Sequence, residues 1–475
     1  MKNILVLLLF LHFNSLTNFG QSCNCHDVVI SIEKELETNS ASFQHQIVIN
    51  EQFEYYKAHV KLINKLSKKI TSKKDCIGLV ARLIAIIRDN HLFIDYLESE
   101  IPYESITDTA LIRDHYSKEP IILKPIKYVP KHNELEGIWF FQDGSFSVDI
   151  FQHKTKLHDF VGTISQSDGL FWLEGQVKLE FFYDSKNELQ CLYWRNTRRP
   201  QQFAVRINGT TLEIGRLFKF YRDTLNTTEN TNSISDSFEF KELSSKTTYL
   251  RIPSFMLDYE NTIDSLVHSS IGSIQSHPFL IIDIRNNGGG GNASITPLLP
   301  LILTKKEYTD PISASMWVSL DNYNWYDSTK YDYADTYEDS LYELAYVDTL
   351  KQYKGTFTPF EFEKGILDTI YNYPKKVAII CNRWSASMTE SFILYSREGN
   401  KTKVYGENTG GLLSYGDWRP YEVKDLGIWV SITTLHIINK YDLDFEKIGI
   451  TPDINLQDQP ENSWILYVQN DLEKN

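Results

Sequence analysis

The stretch that decides the fold is VAIICNRWSASMTESFILYSREGN, Val377 to Asn400. VAIIC reads as a buried strand, NRW as a short polar corner, and SASMTESFILYS as a helix whose Met388, Phe392 and Tyr395 fall at helical spacing. The corner sets Ser387 at a helix N-terminus, where outward-pointing backbone N–H groups favour negative charge on an attacking oxygen. The same position suits a structural cap. Ser387 followed three residues later by Glu390 fits a capping box, in which hydroxyl and carboxylate each satisfy an orphan donor.

Working outward, FLIIDIRNNGGGGN (Phe279 to Asn292) is a buried strand running into four glycines. A strand covered on both faces belongs to a parallel or mixed sheet. The glycines let backbone amides approach a ligand closely, as an oxyanion hole requires. FEKIGITPDI (Phe445 to Ile454) is a third compact signature. In this order and at this separation, DIRNNGGG, RWSASMTE and EKIGITPD resemble the tail-specific, carboxy-terminal-processing and tricorn-type serine peptidases. The resemblance covers residues 240 to 457 and implies an α/β crotonase-like (ββα) peptidase core.

The rest of the chain frames that core. At 475 residues, two or three domains are expected, and 42% hydrophobic with 13% aromatic content supports globular ones. A formal net charge of −14 argues against nucleic acid and against polybasic membrane contact. Residues 1–22 carry Lys2, the apolar run ILVLLLFLHF and a polar tail, the shape of a secretory signal peptide too short to span a bilayer. Gly20-Gln21-Ser22 is a poor approach to a lipidated cysteine, so a free exported chain, periplasmic or extracellular, is expected over a lipid anchor on Cys23. Export permits a disulfide, and Cys76 is expected to pair with Cys23 or Cys25. No histidine pair sits at ligand spacing near these cysteines, so neither metal nor other cofactor is expected. Cys191 and Cys381 read as small buried hydrophobes.

Residues 23–125 read as helical, through HDVVISIEKEL, EYYKAHVKLINKL and CIGLVARLIAIIRD. Residues 131–222 alternate with period two and carry the hairpin signals Asp143-Gly144, Asp168-Gly169 and Asn208-Gly209, an antiparallel sandwich or small barrel. Family members often carry a PDZ module here, and this segment matches none. A polar linker over 224–236 precedes a core over 237–475, which opens with a strand, a helix and a second strand, a βαβ unit with a right-handed crossover. The aromatic and acidic stretch Tyr323 to Tyr353 reads either as a cover for the cleft or as a solvated face with packed aromatics.

The processing branch takes its base from a lysine after the nucleophile, in a loop matched here by GENTGGLL, where the position falls on Leu412. Leucine takes no proton. The resemblance therefore points to the tricorn-like Ser-His-Glu arrangement: Ser387 as nucleophile, His91 of Asp89-Asn90-His91 as base, and Glu446 orienting the imidazole. The amides of Gly288 or Gly289 and of Met388 would hold the oxyanion. His91 taken alone is a polar residue just past a helix end, and His436 in SITTLHIIN is the competing base. Asp283, inside an apolar strand, reads as structural, paired with Arg285 or a backbone amide. The function implied is an exported serine endopeptidase acting on peptides or proteins. The alternatives are an inactive peptide-binding protein on the same fold and an envelope scaffold whose β-rich segment binds glycans.

Overall fold

The apolar runs FLIID and KVAIIC form neighbouring parallel strands, Phe279–Asp283 and Lys376–Cys381, in register from Phe279 opposite Lys376 to Asp283 opposite Ile380. In this computed structural model, residues 23–97, 108–131, 134–184, 187–215, 217–223, 234–330, 337–443, 445–446 and 448–474 are described. The expected signal peptide and most of the linker, 224–233, lie outside them. The two strands sit in a six-stranded sheet ordered Glu239–Glu242, Thr247–Arg251, Phe279–Asp283, Lys376–Cys381, Thr402–Gly406, Ile454–Asn455, with only the first pairing antiparallel. Helix Glu260–Ser276 links the second strand to the third and buries Ile263, Val267 and Ile274. The sheet is covered on both sides: Ile282 and Ile379 belong to one apolar cluster, while Ile281 and Ile380 pack with Trp464 and Val468 of helix Trp464–Lys474.

Asp283 ends its strand fully buried. Its carboxylate takes Arg285 Nε at 2.9 and 3.1 Å, the Arg285 amide at 3.1 Å and the Tyr249 hydroxyl at 3.0 Å, with Arg251 Nη1 at 3.9 Å. The structural reading of this residue therefore stands, with two arginines in place of one.

The front of the chain supplies helices Cys25–Asn39, Phe53–Ser67 and Lys73–Ile84, capped at their first turns by Asn24 (first) and Ser72 (third). Cys25 and Cys76 form the disulfide between the first and third of these; Cys23, Cys191 and Cys381 are free, the last two buried. Helix Lys73–Ile84 lies close against the β-rich segment, since a Cβ at Gly78 would stand 3.0 Å from Leu192.

That segment is a closed antiparallel barrel of eight strands, from Gly137–Phe141 to Phe218–Tyr221. Closure comes from pairing first to last, Phe140 opposite Tyr221 and Phe141 opposite Phe220. Gly144, Gly169 and Gly209 take positive φ in the turns that the sequence marked. One apolar cluster runs through the front helices, the barrel and Val423 to Ile432 of the carboxy-terminal half. The architecture is thus α+β, with amino-terminal helices and an antiparallel barrel packed as one mass.

A second sheet joins the two halves of the chain. Its central strand, Ile428–Asn439, pairs along one edge with Tyr415–Val423 and along the other with Ile94–Tyr96 near its start and Ile312–Met316 near its end. The aromatic stretch contributes helices Leu320–Thr329 and Tyr337–Leu350, and Tyr323, Tyr326, Tyr346 and Tyr353 pack about Met316, Val318 and Leu350. Of the two readings of that stretch, packed aromatics on a small separate core describe it.

Candidate active site

The corner after Lys376–Cys381 is tied to the end of the neighbouring strand. Asn382 Oδ1 accepts the amides of Asn286 (2.9 Å) and Trp384 (3.1 Å), Ser385 Oγ donates to the Ile284 carbonyl (2.9 Å), and the Ala386 amide donates to the Asn287 carbonyl (3.0 Å). The chain then enters helix Met388–Ser396 through Ser387 at φ 57°, ψ −121°, a conformation that L-residues rarely adopt. Strain at such a point persists only where its surroundings over-determine it. Here the restraint is Glu390. Its fully buried carboxylate accepts the Ser387 amide at 2.9 Å, Thr409 Oγ1 at 2.6 Å, and the amides of Gly411 and Leu412 at 2.9 and 2.8 Å. Burial raises the Glu390 pKa, and these four bonds oppose the rise. The capping box of the sequence is present, but the Glu390 amide goes to the Ser387 carbonyl at 2.8 Å, so the bonds that fix the turn use the backbone of Ser387.

The glycine loop lies directly on this turn. Gly289 has φ +101°, and a Cβ there would stand 2.8 Å from Ser387 Cβ, 2.9 Å from the Met388 nitrogen and 2.7 Å from the Ala386 carbonyl. Its amide is taken by Asn287 Oδ1 at 2.9 Å. The amides of Gly288 and Met388 make no hydrogen bond among the described residues, which leaves those two, of the three expected donors, free to meet an oxyanion. Asn287, which the sequence reading passed over, holds the loop from both its ends, with Nδ2 on the Ile252 carbonyl at 3.1 Å. Gly289→Ala is expected to push the Ser387 turn out of place and lower kcat by about a hundredfold or more, the cost of one misplaced oxyanion donor. Steady-state kinetics on the folded variant checks this; unchanged kcat would show that the loop has no part in catalysis.

His91 comes from the front of the chain. Its amide donates to Asp89 Oδ1 at 2.8 Å and its carbonyl accepts Ser431 Oγ at 2.6 Å. The ring is mostly buried, with Nδ1 enclosed, unpartnered and 3.9 Å from Asp89 Oδ1. Burial lowers the His91 pKa, and the carboxylates of Asp89 and Asp417 oppose it. Ser387 and His91 share no hydrogen bond among the described residues. What joins their segments is Asn90, whose Nδ2 donates to the Gly411 carbonyl at 3.0 Å, on the loop that Glu390 holds. Glu446, buried, accepts the Asn90 amide at 2.9 Å and the Ser414 amide at 3.3 Å. Its carboxylate therefore lies on the backbone next to His91, and the carboxylate nearest the ring is Asp89.

A cleft of about 1280 Å³ opens between front helices, barrel and core, and Asn90, Gly288, Ala386, Leu412 and Glu446 are on its walls. Leu412, at the position that the resemblance matches to a lysine, lines this cleft and gives its amide to Glu390. His436 also lines it, stacked on His45 at 3.7 Å, and burial together with the His45 charge pushes its pKa down to about 3.

Residues 246–456 match the model of Peptidase family S41. No curated protein matches the chain. Among solved structures, mature CPAF complexed with lactacystin is similar over 94% of this chain and 97% of its own, at 12% identity and a TM-score of 0.52. A lipoprotein from Streptococcus agalactiae is 19% identical over 50% of this chain and 70% of its own, with a TM-score of 0.31. The photosystem II D1 C-terminal processing protease is 12% identical over 92% and 94%, with a TM-score of 0.37. The first of these shows a shared fold that takes in the front helices and barrel as well as the matched segment.

Proposed function

We propose that this chain, whose residues 246–456 match Peptidase family S41, is an exported serine endopeptidase in which Ser387 is the nucleophile and His91 the base. The reading is carried by the Ser387 turn: a strained, over-determined serine at a helix N-terminus, with Gly289 packed against it and two unengaged amides beside it. In the proposed reaction His91 takes the proton of Ser387 Oγ as that oxygen attacks a peptide carbonyl, and returns a proton to the leaving amine. The amides of Gly288 and Met388 hold the oxyanion, each contributing about 3 kcal/mol to the transition state. Water then resolves the acyl-enzyme. Glu446 acts as a positioning residue through the Asn90 amide, and Asp89 faces the ring nitrogen that would become positive. Closure of the ring onto the hydroxyl belongs to the substrate complex, since catalytic hydrogen bonds tighten on binding.

Export is part of the proposal, supported by the leader-like residues 1–22 and the Cys25–Cys76 disulfide. No helix among the described residues is long and apolar enough to cross a membrane. The crotonase-like description of the core belongs here too, resting on its parallel sheet and covering helices. The second reading, a peptide-binding protein that does not cleave, is favoured by Leu412 and by the lack, among the described residues, of a hydrogen bond between ring and hydroxyl.

Labelling by a fluorophosphonate separates the two. A labelled band is expected from folded wild type, and no label would leave only the binding reading. The pH profile is a further expectation. The base must be neutral, and burial lowers its pKa from the usual value of 6.5. The acidic limb of kcat/KM is therefore expected below about 6.5, with a plateau above it. A limb centred above neutrality would exclude His91 as the base.

A further inference from the structure

Adjoining the main cleft there is a second pocket of about 700 Å³, walled by Ile49, Phe357, Phe360 and Ile438 together with His45 and His436. Three of these, His45, His436 and Ile438, also line the main cleft, so the two spaces share one wall. The wall is built from distant pieces of chain. His45 sits in the π-helical turn Gln44–Ile49, while His436 lies in the central strand of the second sheet opposite Tyr415 and Ser315. The two imidazoles stack at 3.7 Å and 26°, the Tyr415 hydroxyl stands 2.8 Å from His45 Nδ1, and Phe357 meets His436 edge-on at 6.2 Å. Such an arrangement holds the rings in one orientation and leaves faces of aromatic and aliphatic carbon toward the second pocket.

We infer that this pocket is a specificity site for an aromatic or branched aliphatic side chain of a peptide lying in the main cleft, with the His45–His436 pair as the wall against which that side chain packs. The inference rests on the reading of the cleft as a peptide channel. Three observations favour this occupant. The three residues common to both linings set the pocket directly beside the cleft. Phe360 and Ile49 are left 47% and 58% exposed at the pocket, apolar surface that water solvates poorly and a bound side chain would cover. Burial keeps the His436 ring neutral, so the wall carries no charge from that residue that an apolar group would have to desolvate.

The test is binding to Ser387→Ala protein, which needs no turnover. Fluorescein-labelled octapeptides, identical except for Phe, Leu, Ser or Asp walked along the sequence, are titrated by anisotropy. At one position Phe and Leu are expected to bind about tenfold tighter than Ser and Asp. Phe360→Asp and Ile49→Asp, both at exposed positions, are each expected to bring that ratio close to one. Equal affinities at every position, or a preference that persists in both variants, overturns the assignment. If the ratio behaves as stated while wild type cleaves none of the peptides, the pocket stands and the peptidase reading of the site falls.

Discussion

Ser387→Ala is expected to abolish peptide hydrolysis and fluorophosphonate labelling while leaving the protein folded. The fall in kcat should be roughly three to six orders of magnitude, because the oxyanion donors and the cleft retain some catalysis without the nucleophile. Stability should hold because the bond that fixes the turn runs from the Ser387 amide to Glu390, and the Glu390 amide goes to the Ser387 carbonyl. Alanine keeps both. A serine that served only as a cap gives the opposite pattern, a loss of about 1 kcal/mol in stability with activity intact. Kinetics and a urea titration on one preparation distinguish the two, and retained hydrolysis would end the nucleophile assignment.

Asp283→Ala is expected to give the largest loss of stability of any single change considered, about 3 to 5 kcal/mol. The carboxylate is the partner of two buried guanidiniums, those of Arg251 and Arg285, and both remain in place when it is removed. An unpaired buried charge costs far more than the net worth of the pair it came from. Asp283→Asn, which keeps the shape and loses the charge, should fall between wild type and alanine. Denaturant midpoints for both variants measure this; a loss below about 1 kcal/mol in the alanine variant would show that water or another group compensates the arginines. Activity should fall in parallel, since Asp283 ends the strand from which the Asn286 to Gly289 loop springs.

Local signals carried much of this. Strand, corner and helix around Ser387, the glycine loop and the hairpin turns of the β-rich segment each rest on residues close in sequence or on a composition with one physical reading, while the choice between Cys23 and Cys25 for Cys76 fell to the fold, which takes Cys25. Long-range pairing hid the rest. A period-two pattern is the same in a sandwich and a barrel, and only the pairing of Phe140 with Tyr221 closes the sheet. The stacking of His45 on His436 was not legible because nothing in either neighbourhood points to the other. Glu390 was visible as the fourth residue of a capping box, but its bonds to Thr409, Gly411 and Leu412 depend on a loop that meets it only in the fold. Glu446 is singled out by resemblance alone, while its contact with the Asn90 amide, in place of the imidazole, required coordinates.

The strand Ile428–Asn439, held along one edge by Tyr415–Val423 and along the other by Ile94–Tyr96 and Ile312–Met316, ties the front of the chain to a segment made much later. A ribosome makes the His91 segment early and the strand that braces it, together with Glu446, several hundred residues later. Until that last portion is threaded in, the His91 carbonyl lacks Ser431 and the Asn90 amide lacks the carboxylate of Glu446. A half-made chain therefore lacks the partners that hold the His91 segment until its carboxy-terminal half is in place.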